Sequence, residues 1–265
     1  MPEQDILKVR ESALPAGLIT KGIVTDRKNR TPYVYEDWLR ELLNDSKAFM
    51  AKTGGEGFSA PIEESHGEAD AISSRYEIDF KLVLGQSWLH ALRETSRQIV
   101  GVGAGVAYTT TGRRQNPMRA AVLHKTLRGM SRERLRTLWD ADTNGLSEMA
   151  VKDVARFLRT LDKDKNLLLL QPSLLYTDND AEIDTTVASN AVYSDYREAI
   201  DLRATFHPGR ETYLAYFLAH RLVVIEVSDA GWSPFDVIPT SASKTLAKLC
   251  SYYSPFEYAQ LRLLI

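Results

Sequence analysis

The sequence holds a single cysteine, Cys250, in 265 residues. That excludes an internal disulfide framework and a zinc site built on several thiolates. No apolar run approaches the roughly 20 residues that a bilayer-spanning helix needs. The opening residues Met1 to Asp5 lack the basic and apolar segments of a secretory signal. The expectation is a cytoplasmic protein, without a membrane partner, in a reducing compartment. Charge of one sign is not in excess either: the net charge is −2, which excludes a chain that is basic throughout and leaves room for a basic face. There is no internal repeat, no P-loop lysine string and no G-x-S-x-G elbow, so nothing points to a P-loop NTPase or a serine hydrolase. The glycines of Gly101-Val-Gly-Ala-Gly105 lack the dinucleotide-binding spacing. His66, His90, His124, His207 and His220 are scattered without ligand spacing, and only His66 neighbours the acidic stretch described next.

What is present is an ordinary globular balance, 44% hydrophobic and 26% charged, which excludes wholesale disorder. Its charges are segregated. Acids dominate from Glu56 to Asp79, with Arg75 the lone cation; bases dominate from Arg113 to Arg136, against Glu133 alone; acids return from Asp178 to Asp201. An acidic cluster beside a basic segment suits a metal site next to a phosphate-binding surface, although solvated faces give the same runs.

Residues 1–30 read as an irregular or short-stranded lead-in. Thr31 and Pro32 suit a helix start, the stripe Tyr35, Trp38, Leu39, Leu42, Leu43 continues to Phe49, and Gly54-Gly55 ends the helix. Arg75 to Val83 alternates strictly. Tyr76, Ile78, Phe80 and Leu82 share one strand face, and Glu77, Asp79 and Lys81 share the other. Glu68 to Ile72 can pair with it through a turn at Ser73-Ser74. Helices are expected at 86–100, 117–127, 131–139 and 147–161. Residues 167–176 form a strand or buried segment, Thr212 to His220 a helix, Leu222 to Val227 a strand, and Ser241 to Tyr252 a closing helix. The fold class is α/β or α+β, a mixed β-sheet flanked by helices with a helical insert. The expected division is a site-bearing core at 1–116, a basic helical insert at 117–176 and a C-terminal α/β part at 177–265 that completes the core.

Asp79 and Lys81 project from one strand face, and a tight hairpin brings Asp70 beside Asp79. Carboxylates that close repel each other unless a cation lies between them. Mg2+ accepts one or two carboxylates together with waters and substrate phosphate. A lysine beside such a site can stabilise developing negative charge or orient an attacking water. These are the parts of a site that hydrolyses a phosphodiester.

Glu68-Ala69-Asp70 followed by Asp79-Phe80-Lys81 resembles the PD-(D/E)XK nuclease superfamily over residues 31–100. Ala69 stands where a proline is usual, and Asp79 where glutamate is commoner. The resemblance implies a restriction-endonuclease-like core. It makes Asp70 and Asp79 ligands of Mg2+ (or Mn2+), Lys81 the residue that positions or activates the nucleophile, and Glu36 or Glu41 a further carboxylate from the preceding helix. Gln86 or Gln98 would match a glutamine on the following helix, and Glu68 would support the site. In that setting Arg113, Arg114, Arg119 and Lys125 contact phosphates. The implied activity is cleavage of DNA, in anti-phage defence or DNA processing with a protein partner. The alternative is a non-catalytic subunit or adaptor of such a complex. Asp140-Ala-Asp142-Thr-Asn144-Gly145 opens like a calcium loop but has Val151 where a bidentate glutamate is needed, so it and Asp162-Lys-Asp164-Lys-Asn166 read as capped helix turns.

Overall fold

The structure is a computed structural model, which describes residues 8–10, 34–62, 67–83, 123–176, 184–218 and 221–244. The expected helices at 86–100 and Ser241–Tyr252 lie wholly or almost wholly outside these residues, as do Thr31, Pro32, Gln86, Gln98, Arg113, Arg114, Arg119 and Cys250.

The amphipathic stripe after residue 34 forms two helices instead of one: α1 (Val34–Asp45) and α2 (Lys47–Lys52). Ser46 makes the break. Its backbone is extended, its side chain accepts a hydrogen bond from Phe49 N (3.1 Å), and its hydroxyl donates to Asp236. A side-chain cap of this kind satisfies an amide that the helix start would otherwise leave orphaned. Gly54 (φ 72°) ends α2 in the left-handed conformation that favours glycine.

Of the expected lead-in, residues 1–30, the described residues are those of strand β1 (Lys8–Arg10). The hairpin forms as the alternation indicated, from β2 (Ala71–Ile72) and β3 (Glu77–Leu82), closed by Ser73 N donating to Tyr76 O at 2.9 Å. Helices α3 (Leu123–Arg128), α4 (Arg132–Trp139) and α5 (Met149–Leu161) follow, and Ser131 caps α4. The run after Asn166 is a strand, β4 (Leu167–Tyr176), and it lies inside the sheet. The expected insert therefore splits: its helices form a layer, and its last residues are central sheet.

The acidic stretch beyond residue 178 contains an unforeseen long helix, α6 (Thr185–Phe206), capped by Asp184. Its buried Ala188, Val192, Tyr196, Ala199 and Ile200 recur at helical spacing. Residues 212–218, expected to be helical, form strand β5 (Thr212–Leu218). Every residue of β5 is buried, so neither face alternates with polar residues, and periodicity has nothing to distinguish. Strands β6 (Arg221–Ser228) and β7 (Gly231–Pro239) complete the fold; β7 carries Pro234 and Pro239, as an edge strand can.

The described residues form a seven-stranded mixed sheet ordered β2-β3-β4-β5-β6-β7, with β1 paired to the far half of β4. The β3–β4 and β4–β5 pairs are parallel, and the others are antiparallel. Strand β4 alternates between two cores. Leu168 and Leu170 pack with Trp38, Leu39, Leu42 and Phe49 of α1 and α2. Leu167 and Leu169 pack with Leu135, Leu158, Tyr196 and Ile200 of α4, α5 and α6. The molecule is thus mixed α/β, a sheet with helices on both faces. None of the described helices is long and apolar enough to cross a membrane.

Candidate active site at the sheet edge

The β2–β3 register pairs Ala71 with Ile78, so one step further Asp70 lies opposite Asp79. Asp70 is anchored on both sides of its peptide. Its carboxylate accepts a hydrogen bond from Phe80 N (2.7 Å), and its carbonyl accepts one from the Arg40 guanidinium of α1 (2.7 Å). Arg40 is in turn paired with Asp37.

Lys81 joins the two carboxylates. Its ammonium lies 3.2 Å from Asp70 Oδ2 and 3.2 Å from Asp79 Oδ2, and it donates to the Phe80 carbonyl at 2.8 Å. Three oxygens therefore surround one cation. Glu36 lies on α1, four residues before the Arg40 that binds the Asp70 carbonyl. Burial and the negative charge of Asp70 push the Glu36 carboxyl up to about 7, against the opposing pull of Arg40 and Lys81. The structure thus brings together Asp70, Asp79 and Lys81 of the expected set, and Glu36 is close enough to feel the charges of Asp70 and Lys81. Glu41 is turned away and accepts a hydrogen bond from Ser243 Oγ at 2.8 Å. Glu68 is exposed on the approach to β2, and Lys125 is exposed on α3 in the helical layer.

Asp79 departs from an ordinary outer strand face. It is 2% exposed, because the parallel register sets it beside Leu167 at the start of β4, on the face that packs against α4, α5 and α6. That register also brings in two residues that the motif did not indicate. The loop between α5 and β4 places Lys163 Nζ 3.3 Å from Asp79 Oδ2 and Lys165 Nζ 3.8 Å from Asp79 Oδ1. Lys165 also donates to the Gly67 carbonyl, tying this loop to the approach to β2. Burial pulls the Asp79 carboxyl upward, but Lys81, Lys163 and Lys165 together hold it below the usual carboxylate range. Asp79 is therefore ionised at neutral pH. Nothing in the sequence says that β4 lies parallel to β3; the only signal was a pair of lysines immediately before an apolar run.

The loop is held by Arg203, 1% exposed near the end of α6. Its guanidinium donates to the carbonyls of Leu161, Lys163 (2.9 Å) and Lys165 (2.5 Å), and to Thr212 Oγ1 (2.9 Å). Burial lowers Arg203 to about 10, so it stays charged at neutral pH.

The donor set bears directly on Mg2+. Among the described residues, no three His, Cys, Asp or Glu side chains gather closely enough to ligate a metal by themselves. Mg2+ does not need that many, since it keeps several waters and commonly takes one or two carboxylates. Asp70, Asp79 and the Phe80 carbonyl already enclose a cation, the Lys81 ammonium, with hard oxygen donors. Two carboxylates and a backbone carbonyl are the donor types that Mg2+ takes, and the Lys81 ammonium lies between them. Comparison with family models, with curated proteins and with solved structures finds no match, so the reading of this site rests on its own chemistry.

Proposed function

We propose that the chain is a metal-dependent nuclease of the PD-(D/E)XK kind, hydrolysing phosphodiester bonds in DNA on a restriction-endonuclease-like core. The observation that carries this reading is the meeting of Asp70, Asp79 and Lys81 at the β2–β3 edge. A mixed sheet flanked by helices agrees with it.

Asp70 and Asp79 would hold Mg2+ or Mn2+, with the Phe80 carbonyl as a further oxygen donor within reach. When bound, the metal supplies a Lewis acid for the phosphoryl group and lowers the pKa of a water. Lys81, displaced from between the carboxylates, orients the attacking water and stabilises the negative charge that develops on the phosphoryl oxygens. Glu36 holds or releases a proton close to neutral pH at the rim of the site. The water oxygen bonds to phosphorus and gives up a proton to solvent, the bond to the leaving sugar oxygen breaks, and that oxygen takes up a proton from solvent. A defence or DNA-processing role with a protein partner is what this class of enzyme suggests.

A second reading has its own observation. Asp79 is nearly inaccessible and met by three lysines, which also suits a strand edge locked by ion pairs in a non-catalytic subunit or adaptor. Cleavage assays on plasmid, linear and single-stranded DNA decide between the two. The nuclease reading expects products with Mg2+ or Mn2+, none with EDTA, and loss of about a thousandfold or more in Asp79→Asn and Lys81→Gln. Unchanged cleavage in both variants, or no metal-dependent cleavage by the wild type, rejects it.

A further inference from the structure

We propose that Lys163 and Lys165 form a binding site for the phosphate groups of a nucleic-acid strand, set beside Asp79 by the buried Arg203. The proposal rests on reading Asp70, Asp79 and Lys81 as a phosphodiester-cleaving site, and it names the residues that hold the polyanion there.

The loop sorts its charges. Asp162, Lys163, Asp164 and Lys165 alternate, yet the acids are paired on one side and the lysines gather on the other. Asp162 meets His207 Nε2 at 2.9 Å, and Asp164 accepts from Arg210 Nε at 2.6 Å. Lys163 and Lys165 converge on Asp79. One carboxylate does not require this arrangement, because Lys81 already lies 3.2 Å from it. Three ammonium groups, Lys81, Lys163 and Lys165, converge within 3.8 Å of the single carboxylate of Asp79, and such a concentration of positive charge attracts a polyanion.

The lysines are also presented for binding. The Lys163 side chain is 48% exposed and that of Lys165 24% exposed, while the backbone beneath them is fixed. Arg203 takes three carbonyls of the loop and its flanks. Asn166 fastens the loop to both neighbouring strands, donating from Nδ2 to the Glu77 carbonyl at 3.1 Å and accepting from Glu211 N at 3.0 Å. Ammonium groups on flexible stems above a rigid backbone suit phosphate oxygens, and little loop entropy is lost on binding. A phosphate of a strand lying along this edge would meet the convergent ammonium groups of Lys81, Lys163 and Lys165.

The test is fluorescence anisotropy with short labelled duplex and single-stranded DNA, in EDTA so that no cleavage occurs, over a range of salt concentrations. Three proteins are compared: wild type, Lys163→Gln/Lys165→Gln, and the control Lys47→Gln/Arg159→Gln, which removes the same charge from exposed positions elsewhere. The proposal expects the first variant to lose about tenfold or more in affinity and to lower the slope of log K against log salt by about two, with the control close to wild type. Circular dichroism shows whether each variant is folded. Equal affinity and slope in all three proteins overturns the proposal, as does equal loss in both variants or absence of wild-type binding. Failure here is separable from failure of the nuclease reading. Metal-dependent cleavage by the wild type with unaltered binding in the variant sinks only the phosphate site. Selective loss of binding, with no cleavage under any metal, supports the phosphate site and removes the nuclease.

Discussion

At the scale of single residues, the site is a contest between burial and charge. At Asp79 three ammonium groups outweigh desolvation and lower its carboxyl, while burial and the charge of Asp70 raise Glu36 to about 7. Asp70, Asp79 and Lys81 were legible in the sequence because a strand's period of two fixes which side chains share a face, and a short hairpin fixes what lies opposite. Lys163 and Lys165 were not, since they reach Asp79 across a parallel pairing far along the chain. Arg203 was equally hidden: a lone arginine late in an unrecognised helix gives no sign that it will gather three distant carbonyls. Arg203→Ala should cost about 3 kcal/mol in urea unfolding, because the buried carbonyls it serves lose a charged donor. A loss within a few tenths of wild type would show that the loop does not depend on it.

At the scale of elements, the legible parts were those with one buried face. The alternation of β3, the stripe of α1 and the Ser131 cap of α4 all appear where the spacing placed them. Strand β5 was misread because it is buried on both faces, and β7 was overlooked because its exposed positions and two prolines blur the pattern. The break at Ser46 was invisible because it depends on Asp236 of β7. Glu211, just before β5, shows how elements are tied: it accepts from Lys52 of α2 (2.5 Å), from Tyr76 at the start of β3 (2.5 Å) and from Tyr213 (2.7 Å). Burial works to raise its carboxyl, but these hydrogen bonds and the Lys52 charge lower it overall. A depressed folded-state pKa means stability that is present above the unfolded value of 4.5 and lost as pH falls through the folded value. Glu211→Gln should therefore lower stability by about 1–2 kcal/mol near neutral pH, with the gap to wild type closing on strong acidification. Denaturant unfolding at both pH values checks this, and a gap independent of pH would contradict it.

At the scale of the whole molecule, the sheet gathers parts that are remote in sequence. The hairpin supplies the carboxylates and Lys81, α1 reaches the edge with Glu36, and the parallel placement of β4 delivers a basic loop held by α6. Local periodicity foretold a mixed helix and strand protein, but the order of strands depends on long-range pairing that no local signal encodes. The central claim is that this edge holds a divalent cation. Thermal unfolding of wild type and Asp79→Asn, each with Mn2+ and with EDTA, tests it most directly, because a ligand bound only by the folded state raises the unfolding temperature. The account predicts a metal-dependent rise in wild type that is absent in Asp79→Asn. No rise in wild type, or the same rise in both proteins, would contradict it.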